Sequence, residues 1–219
     1  MGPRLTGRSK VPQRPSRPLE WDAADVLTRG VDQVLWRIHK TRGAYPTAWN
    51  DYRMVGPLPG LRWDPHPPGQ PANHHGCGVL YAAYDLNTCL AEVFQAGNRI
   101  DTTGSSPYAT AWNLTRPLRL LNLTGDWPMR MGAAHALLSA PRSTCKNWAH
   151  AIWEASRTSN HPVDGLDVRS TVTGKNMPVL FSASQSALPA APDFTSPLDG
   201  PKVLTLVDHF ADRYQWTVT

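Results

Sequence analysis

Five residues stand where packing alone would place apolar side chains: Arg37 in "VLWRIHK", Arg62 in "GLRWDPH", Tyr81 and Glu92 in "GVLYAAYDLNTCLAEVF", and Ser170 closing "DGLDVRS". Glu92 is one of only three glutamates in the chain, with Glu20 and Glu154, and it sits among Cys89, Leu90, Val93 and Phe94. An arginine fork holds phosphate oxygens bidentately, and a tyrosine offers an aromatic face. A carboxylate stabilises the oxocarbenium ion that forms as a glycosidic bond breaks. Two phosphates beside a cleavable glycosidic bond describe NAD+. Each residue also has a purely structural reading: Arg37 in an ion pair, Arg62 on a loop surface, Tyr81 in the core, Glu92 as a solvated helix residue, Ser170 as a strand-end cap. On the residues alone, both readings stand.

The elements that must position these residues follow from periodicity. In "VLWRIHK" (34–40) strand alternation puts Leu35, Arg37 and His39 on one face and Val34, Trp36 and Ile38 on the other. A second strand over 78–84 leads into a helix over 87–96 that stops at Gly97, with Asp85 or Asn87 as its cap. Cys89, Leu90, Val93 and Phe94 form that helix's apolar face, and Glu92 lies at its margin. Residues 41–77 hold seven prolines and seven glycines or asparagines, which predicts a long irregular excursion of the kind that often carries function. "WDAADVLTRG" (21–30) and "MGAAHALLS" predict helices, and a further helix begins at Ser143 in "STCKNWAHAIWEASR". "YATAWNL", "LRLLNL", "DGLDVRS", "MPVLFS" and "VLTLVD" predict strands, and 182–201 predicts a long surface loop. Six or seven strands with inserted helices and no regular βαβ alternation indicate an α+β fold with a mixed or antiparallel sheet in a single domain.

Other chemistries lack their signatures. His66, His74, His75 and Cys77 are zinc ligands by type, but they share one proline-rich loop at a spacing that matches no usual site, so no metal is expected. There is no G-x-S-x-G nucleophile elbow, no phosphate-wrapping glycine loop around "TGKN", and no G-x-G-x-x-G dinucleotide turn. Three cysteines, Cys77, Cys89 and Cys145, are too few and too apolar in setting for a disulfide scaffold.

The net charge of +5 is local. Residues 1–18 contain Arg4, Arg8, Lys10, Arg14 and Arg17 and no acid, and the other 17 basic residues balance the 17 acidic ones. A basic, proline-rich stretch of this kind predicts a disordered tail over 1–20, followed by one folded domain over 21–219. Direct nucleic-acid binding by the body of that domain is not expected, whereas a nucleic-acid-binding tail would show affinity falling steeply with salt. No apolar run reaches the roughly 20 residues of a membrane span and no secretory h-region opens the chain, so a cytoplasmic location is expected.

The motifs resemble the RES-domain family of bacterial toxins, named for an arginine, a glutamate and a serine. The resemblance is carried by "LWRIH" with Arg37; by "GLRWDPH" with Arg62, similar to the family's G-R-W-N/D-P; and by "VLYAAYDLNTCLAEVF" with Tyr81 and Glu92. It continues through "LLNLTG", "DGLDVRS" with Ser170, and "GKNMPVLF", covering residues 33–208 in order. Two departures stand out: a longer loop, rich in proline and histidine, before "GVLYAAYD", and Arg169 where a small residue or proline is common.

The resemblance implies an ADP-ribosyltransferase-like fold, a split mixed or antiparallel sheet with inserted helices, that binds NAD+ in the cleft between sheet halves. It implies cleavage of the nicotinamide–ribose bond by hydrolysis, or by phosphorolysis with inorganic phosphate as co-substrate. The alternative is mono-ADP-ribosylation of a cellular protein. It further implies a cognate antitoxin that blocks the cleft. Carried across, Arg37, Glu92 and Ser170 are the catalytic set, and Arg37, Arg62, Tyr81 and Ser143 bind the dinucleotide. Ser143 would do so with the N-terminus of its helix.

Overall fold

The computed structural model describes residues 10–219. Its strands in chain order are β1 (Val26–Arg29), β2 (Leu35–Lys40), β3 (Val55–Gly56), β4 (Ala72–Asn73), β5 (Val79–Tyr81), β6 (Arg99–Ile100), β7 (Pro107–Trp112), β8 (Leu118–Asn122), β9 (Gly165–Arg169), β10 (Asn176–Phe181), β11 (Phe194–Pro197) and β12 (Thr217–Val218). The α-helices are α1 (Leu86–Phe94), α2 (Trp127–Arg130), α3 (Arg142–Ser156) and α4 (Pro201–Tyr214).

Alternation along the strands decides where the core goes. In β8, Leu118 and Leu120 enter one apolar cluster while Leu121 enters the other; in β10, Leu180 opposes Val179 and Phe181. The sheet they belong to, ordered β1-β8-β9-β10-β5, is therefore covered on both faces at β8, β10 and β5, while the edge strand β1 is only partly covered. The β8–β9 pair is parallel and the other pairs of this sheet are antiparallel, so the sheet is mixed. At Gly165, in the β9–β10 ladder, a Cβ would overlap the Val179 carbonyl oxygen.

A second sheet, β11-β7-β2, is antiparallel. Among the described residues one isolated bridge links the two sheets: the Trp36 and Ala83 N–H groups each donate to the other residue's carbonyl at 2.8 Å. The result is a split sheet in an α+β fold, with Arg37 one residue beyond the bridge. No helix among the described residues is long and apolar enough to cross a membrane.

Several elements differ from the sequence expectation. The stretch 21–30 forms one 3-10 turn, Ala23–Asp25, and then edge strand β1 paired with β8. Its Asp22/Asp25 capping box mimics a helix start, but pairing with β8 is what the following residues satisfy. "VLTLVD" lies inside α4: Pro201 opens the helix, and Val203, Val207, Phe210 and Ala211 supply a buried stripe at helical spacing. "MGAAHALLS" is reduced to a 3-10 turn, His135–Ser139. The excursion 41–77 contains the short β3–β4 ladder, and 182–201 holds a 3-10 turn and β11.

Residues 1–9 of the expected tail lie outside the described residues. Residues 10–20 differ from a solvated leader, because the indoles beneath them need acceptors. Trp148 Nε1 donates to Pro12 O at 3.0 Å, Trp127 Nε1 to Glu20 O at 2.8 Å, and the Ala134 N–H to Lys10 O at 2.9 Å. Trp148 and Trp127 are fully buried and meet edge to face with ring centroids 6.3 Å apart. Deletion of residues 1–9 serves as the reference, since it keeps every one of these acceptors in place. Deletion of 1–18 strips the acceptor from the buried Trp148 N–H and should cost about 1–3 kcal/mol. Thermal melts of the two truncations check this, and equal melting temperatures would show that the 10–20 segment contributes nothing.

Candidate active site

Helix α1 sets the position of Glu92. Asp85 caps it, accepting from the Thr88 N–H at 2.9 Å and from Thr88 Oγ1 at 3.0 Å. Gly97, at φ +85°, turns the chain away beyond its end. Leu86, Cys89, Leu90 and Phe94 are buried, and Glu92 is half-buried at the margin.

Glu92 meets Ser170 directly: Ser170 Oγ donates to Glu92 Oε1 at 2.6 Å. The same hydroxyl accepts from the N–H groups of Val172, at 3.2 Å, and Thr173, at 3.0 Å. A hydroxyl has one proton and two lone pairs, so with both acceptor sites filled its proton is committed to the carboxylate. Ser170 is buried and fixes the direction of one Glu92 oxygen. Among the described residues the other, Oε2, has only a 3.4 Å contact from Gln95 Nε2.

Tyr81 is tied to the stretch that carries Arg62. Its hydroxyl donates to Asp64 Oδ1 at 3.0 Å and accepts from the Trp63 N–H at 3.1 Å. Burial first, and then the Asp64 charge, hold its pKa well above the usual phenol value, so it is a neutral ring. Asp64 has a fully buried side chain that also receives Arg53 Nη2 on Oδ1 and the Leu58 N–H on Oδ2 at 2.8 Å. The excursion 41–77 is thus clamped by one buried carboxylate. Lys146 Nζ, donating to Leu58 O at 3.0 Å, fastens it to α3.

Arg37 Nη1 donates to the carbonyls of Trp49, at 2.7 Å, and Asp51, at 3.0 Å. Burial pulls its pKa down to about 10, with the Asp51 charge opposing, and it remains a cation at neutral pH. Arg62 Nη1 donates to Ala140 O and to Cys145 Sγ. Among the described residues, Nε and Nη2 of both arginines have no partner.

These side chains line two cavities that meet. The larger, about 880 Å³, includes Arg37, Tyr45, Tyr52, Arg53 and Met54. The smaller, about 330 Å³, includes Arg62, Trp63, Arg142 and Arg169. Tyr81, Glu92, Val93 and Met177 belong to both, so the ring and the carboxylate form the waist between them. A third groove of about 920 Å³, between residues 14–21 and α3, shares no residue with either.

Of the residues singled out from sequence, Arg37, Arg62, Tyr81 and Glu92 line this double cavity, and Ser170 reaches it through Glu92. Ser143 does not: it is exposed at the start of α3, and Arg142 beside it supplies the lining. Sequence reasoning passed over Arg53, Asp64 and Arg142. Asp64, an acid next to a tryptophan in a loop, shows no periodicity that would flag it as buried. Among the described residues no group of three His, Cys, Asp or Glu could hold a metal ion. Cys77, Cys89 and Cys145 are free and buried, and burial raises all three thiol pKa values.

His66 underlies the site and adds a pH dependence. Its buried ring is held at a pKa of about 4, below the ordinary 6.5, by burial first and then by the Arg53 charge. The unfolded chain takes up this proton near pH 6.5 and the fold not until about pH 4, so the contribution is present above 6.5 and lost as pH falls toward 4. Melting temperature should drop across that window in the wild type and less so in His66→Leu. Parallel curves for the two proteins would refute the assignment.

A family model described as "RES domain" matches residues 34–199. A solved structure, "Crystal structure of the M.tuberculosis MbcT-MbcA toxin-antitoxin complex", shares 17% identity, covering 84% of this chain and 92% of that one, with a TM-score of 0.49. No curated protein matches in sequence.

Proposed function

This chain belongs to the RES domain family, and on that premise we propose that it is a toxin that binds NAD+ in the double cavity and cleaves the nicotinamide–ribose bond. The observation that carries the reading is the waist. Glu92, with one oxygen fixed by Ser170 and the other held only by the 3.4 Å contact from Gln95 among the described residues, lines the junction of the two cavities together with the neutral ring of Tyr81.

Such a waist suits a dinucleotide that lays its nicotinamide in one cavity and its nicotinamide ribose at the junction. The flat Tyr81 face packs against a ring, and Arg37 and Arg62 approach from the two sides with free guanidinium nitrogens to receive phosphate oxygens. As nicotinamide departs as a neutral molecule, its positive charge passes to the ribose, and a preorganised carboxylate beside the ribose lowers the energy of that oxocarbenium-like cation more than that of the ground state, where the charge sits on the nicotinamide ring. Ser170 is a positioning residue, keeping Glu92 from swinging into solvent. Family resemblance supports an antitoxin as the protein partner, one that would act by covering the cleft.

Incubating the protein with NAD+, with and without inorganic phosphate, and following nicotinamide and the ribose product by NMR tests the reading. Loss that requires phosphate identifies phosphorolysis, and loss without it identifies hydrolysis. Nicotinamide release matched by adenylate label on a protein band, with no free ADP-ribose or ADP-ribose 1-phosphate, would replace degradation by ADP-ribosyl transfer on the same site. Intact NAD+ with no labelled protein would reject the reading.

A further inference from the structure

The larger cavity is lined in part by an aromatic side chain that the fold leaves in water. Tyr45 is 88% exposed, the highest value among the exposed large apolar residues described, and it lines this cavity but not the smaller one. Among the described residues its hydroxyl has no hydrogen bond and its ring no aromatic or cationic partner. Val55 and Val93, also exposed, line the same cavity. One apolar side chain in water is ordinary, whereas three around a single cavity form a surface that a ligand can cover.

The backbone on either side of Tyr45 is held. The Arg42 N–H donates to Ser105 O at 3.0 Å, and the Thr47 N–H donates to Lys40 O at 2.8 Å. Thr47 O also meets His39 Nδ1 at 2.9 Å, and Pro46 restricts the residue before it to extended backbone. A fixed stretch therefore presents a free ring, and engaging a ligand costs little further loop ordering.

This stretch is also tied to Arg37, whose Nη1 bonds to the Trp49 and Asp51 carbonyls. With the nicotinamide ribose at the waist and the diphosphate at Arg37, the remainder of the dinucleotide continues through the larger cavity. That remainder is adenosine, which ends in a flat base. Met54, Leu58 and Pro71 give the cavity of about 880 Å³ apolar walls for it.

We propose that Tyr45 stacks on the adenine ring of the substrate and so favours the dinucleotide over the nicotinamide mononucleotide. The assignment rests on the NAD+ reading above. Stacking uses the π-face of the ring, so the hydroxyl is not required.

ADP-ribose keeps the adenine and lacks the nicotinamide. It is titrated by calorimetry into the wild type, Tyr45→Ala and Tyr45→Phe, and NAD+ is titrated into Glu92→Gln with and without the same substitutions. Both ligands should bind about tenfold or more weakly to the alanine variants and with unchanged affinity to the phenylalanine ones. The melting temperature should not move, because the ring stands in solvent. In turnover, the kcat/KM preference for NAD+ over nicotinamide mononucleotide should shrink by the same factor in Tyr45→Ala. Saturation-transfer NMR gives a readout that a merely structural role would not move: adenine H2 and H8 of ADP-ribose should lose magnetisation relative to the ribose protons in Tyr45→Ala. Unchanged affinity for both ligands in the alanine variants would overturn the assignment and leave NAD+ binding in place. Weakened NAD+ with unchanged ADP-ribose would put the ring on the nicotinamide half and overturn it as well. A wild type that consumes no NAD+, with a Glu92→Gln variant that binds none, would remove the assignment together with the reading beneath it.

Discussion

Replacing Glu92 by glutamine is expected to slow NAD+ consumption by roughly 10²–10⁴-fold while moving the melting temperature by no more than about 2 °C. The stability expectation comes from the Ser170 contact. A glutamine carbonyl oxygen still accepts from Ser170 Oγ, and the side chain is half-buried at a helix margin, so no buried charge is stranded. The rate expectation comes from the negative charge itself, the feature glutamine lacks and an oxocarbenium-like transition state requires. KM should change far less than kcat, because the ground-state ribose is neutral. A variant that destroys NAD+ at the wild-type rate would remove Glu92 from the chemistry.

Asp64→Ala is expected to be the most damaging single change to the fold around the site. The carboxylate is fully buried and receives Arg53, the Tyr81 hydroxyl and the Leu58 N–H. Alanine leaves a guanidinium, a hydroxyl and an amide in want of an acceptor, and breaking such a buried pair from one side costs about 3–5 kcal/mol. Asp64→Asn keeps one carbonyl oxygen for Arg53 and Tyr81 and should lose less. Chemical denaturation of the three proteins measures the difference, and an alanine variant within 1 kcal/mol of wild type would mean the clamp is not needed. Because Asp64 acts through Tyr81 and Arg53, the asparagine variant should also show weaker substrate binding than its stability alone accounts for.

How much of this was legible in the sequence varies with the kind of signal. β2 and α1 followed from alternation, from the Asp85 cap and from Gly97, because those signals are local and nothing tertiary competes with them. The α4 stretch was misread because Val203, Leu204, Leu206 and Val207 form a β-like run in a short window, whereas the stripe that decides the matter extends to Phe210 and Ala211. Strand β1 was hidden for the opposite reason: its capping box is local, and the partner that overrides it, β8, lies about 90 residues away. Within the site, Glu92 was conspicuous as an acid in an apolar helix. Asp64 was not, since its partners come from Arg53, Leu58 and Tyr81, and only the folded excursion brings them together. Ser143 was placed one residue away from the side chain that faces the cavity, a slip that in a helix corresponds to about 100° of rotation.

The paired Trp36 and Ala83 hydrogen bonds that join the two sheets also make a reporter. Their amide protons can exchange with solvent deuterium only when the sheets part at this seam, whereas amides inside the β8–β9–β10 ladders must await wider unfolding. Protection at Trp36 and Ala83 therefore measures cleft opening separately from global stability. A molecule spanning the waist should slow exchange at these two positions before it changes any other.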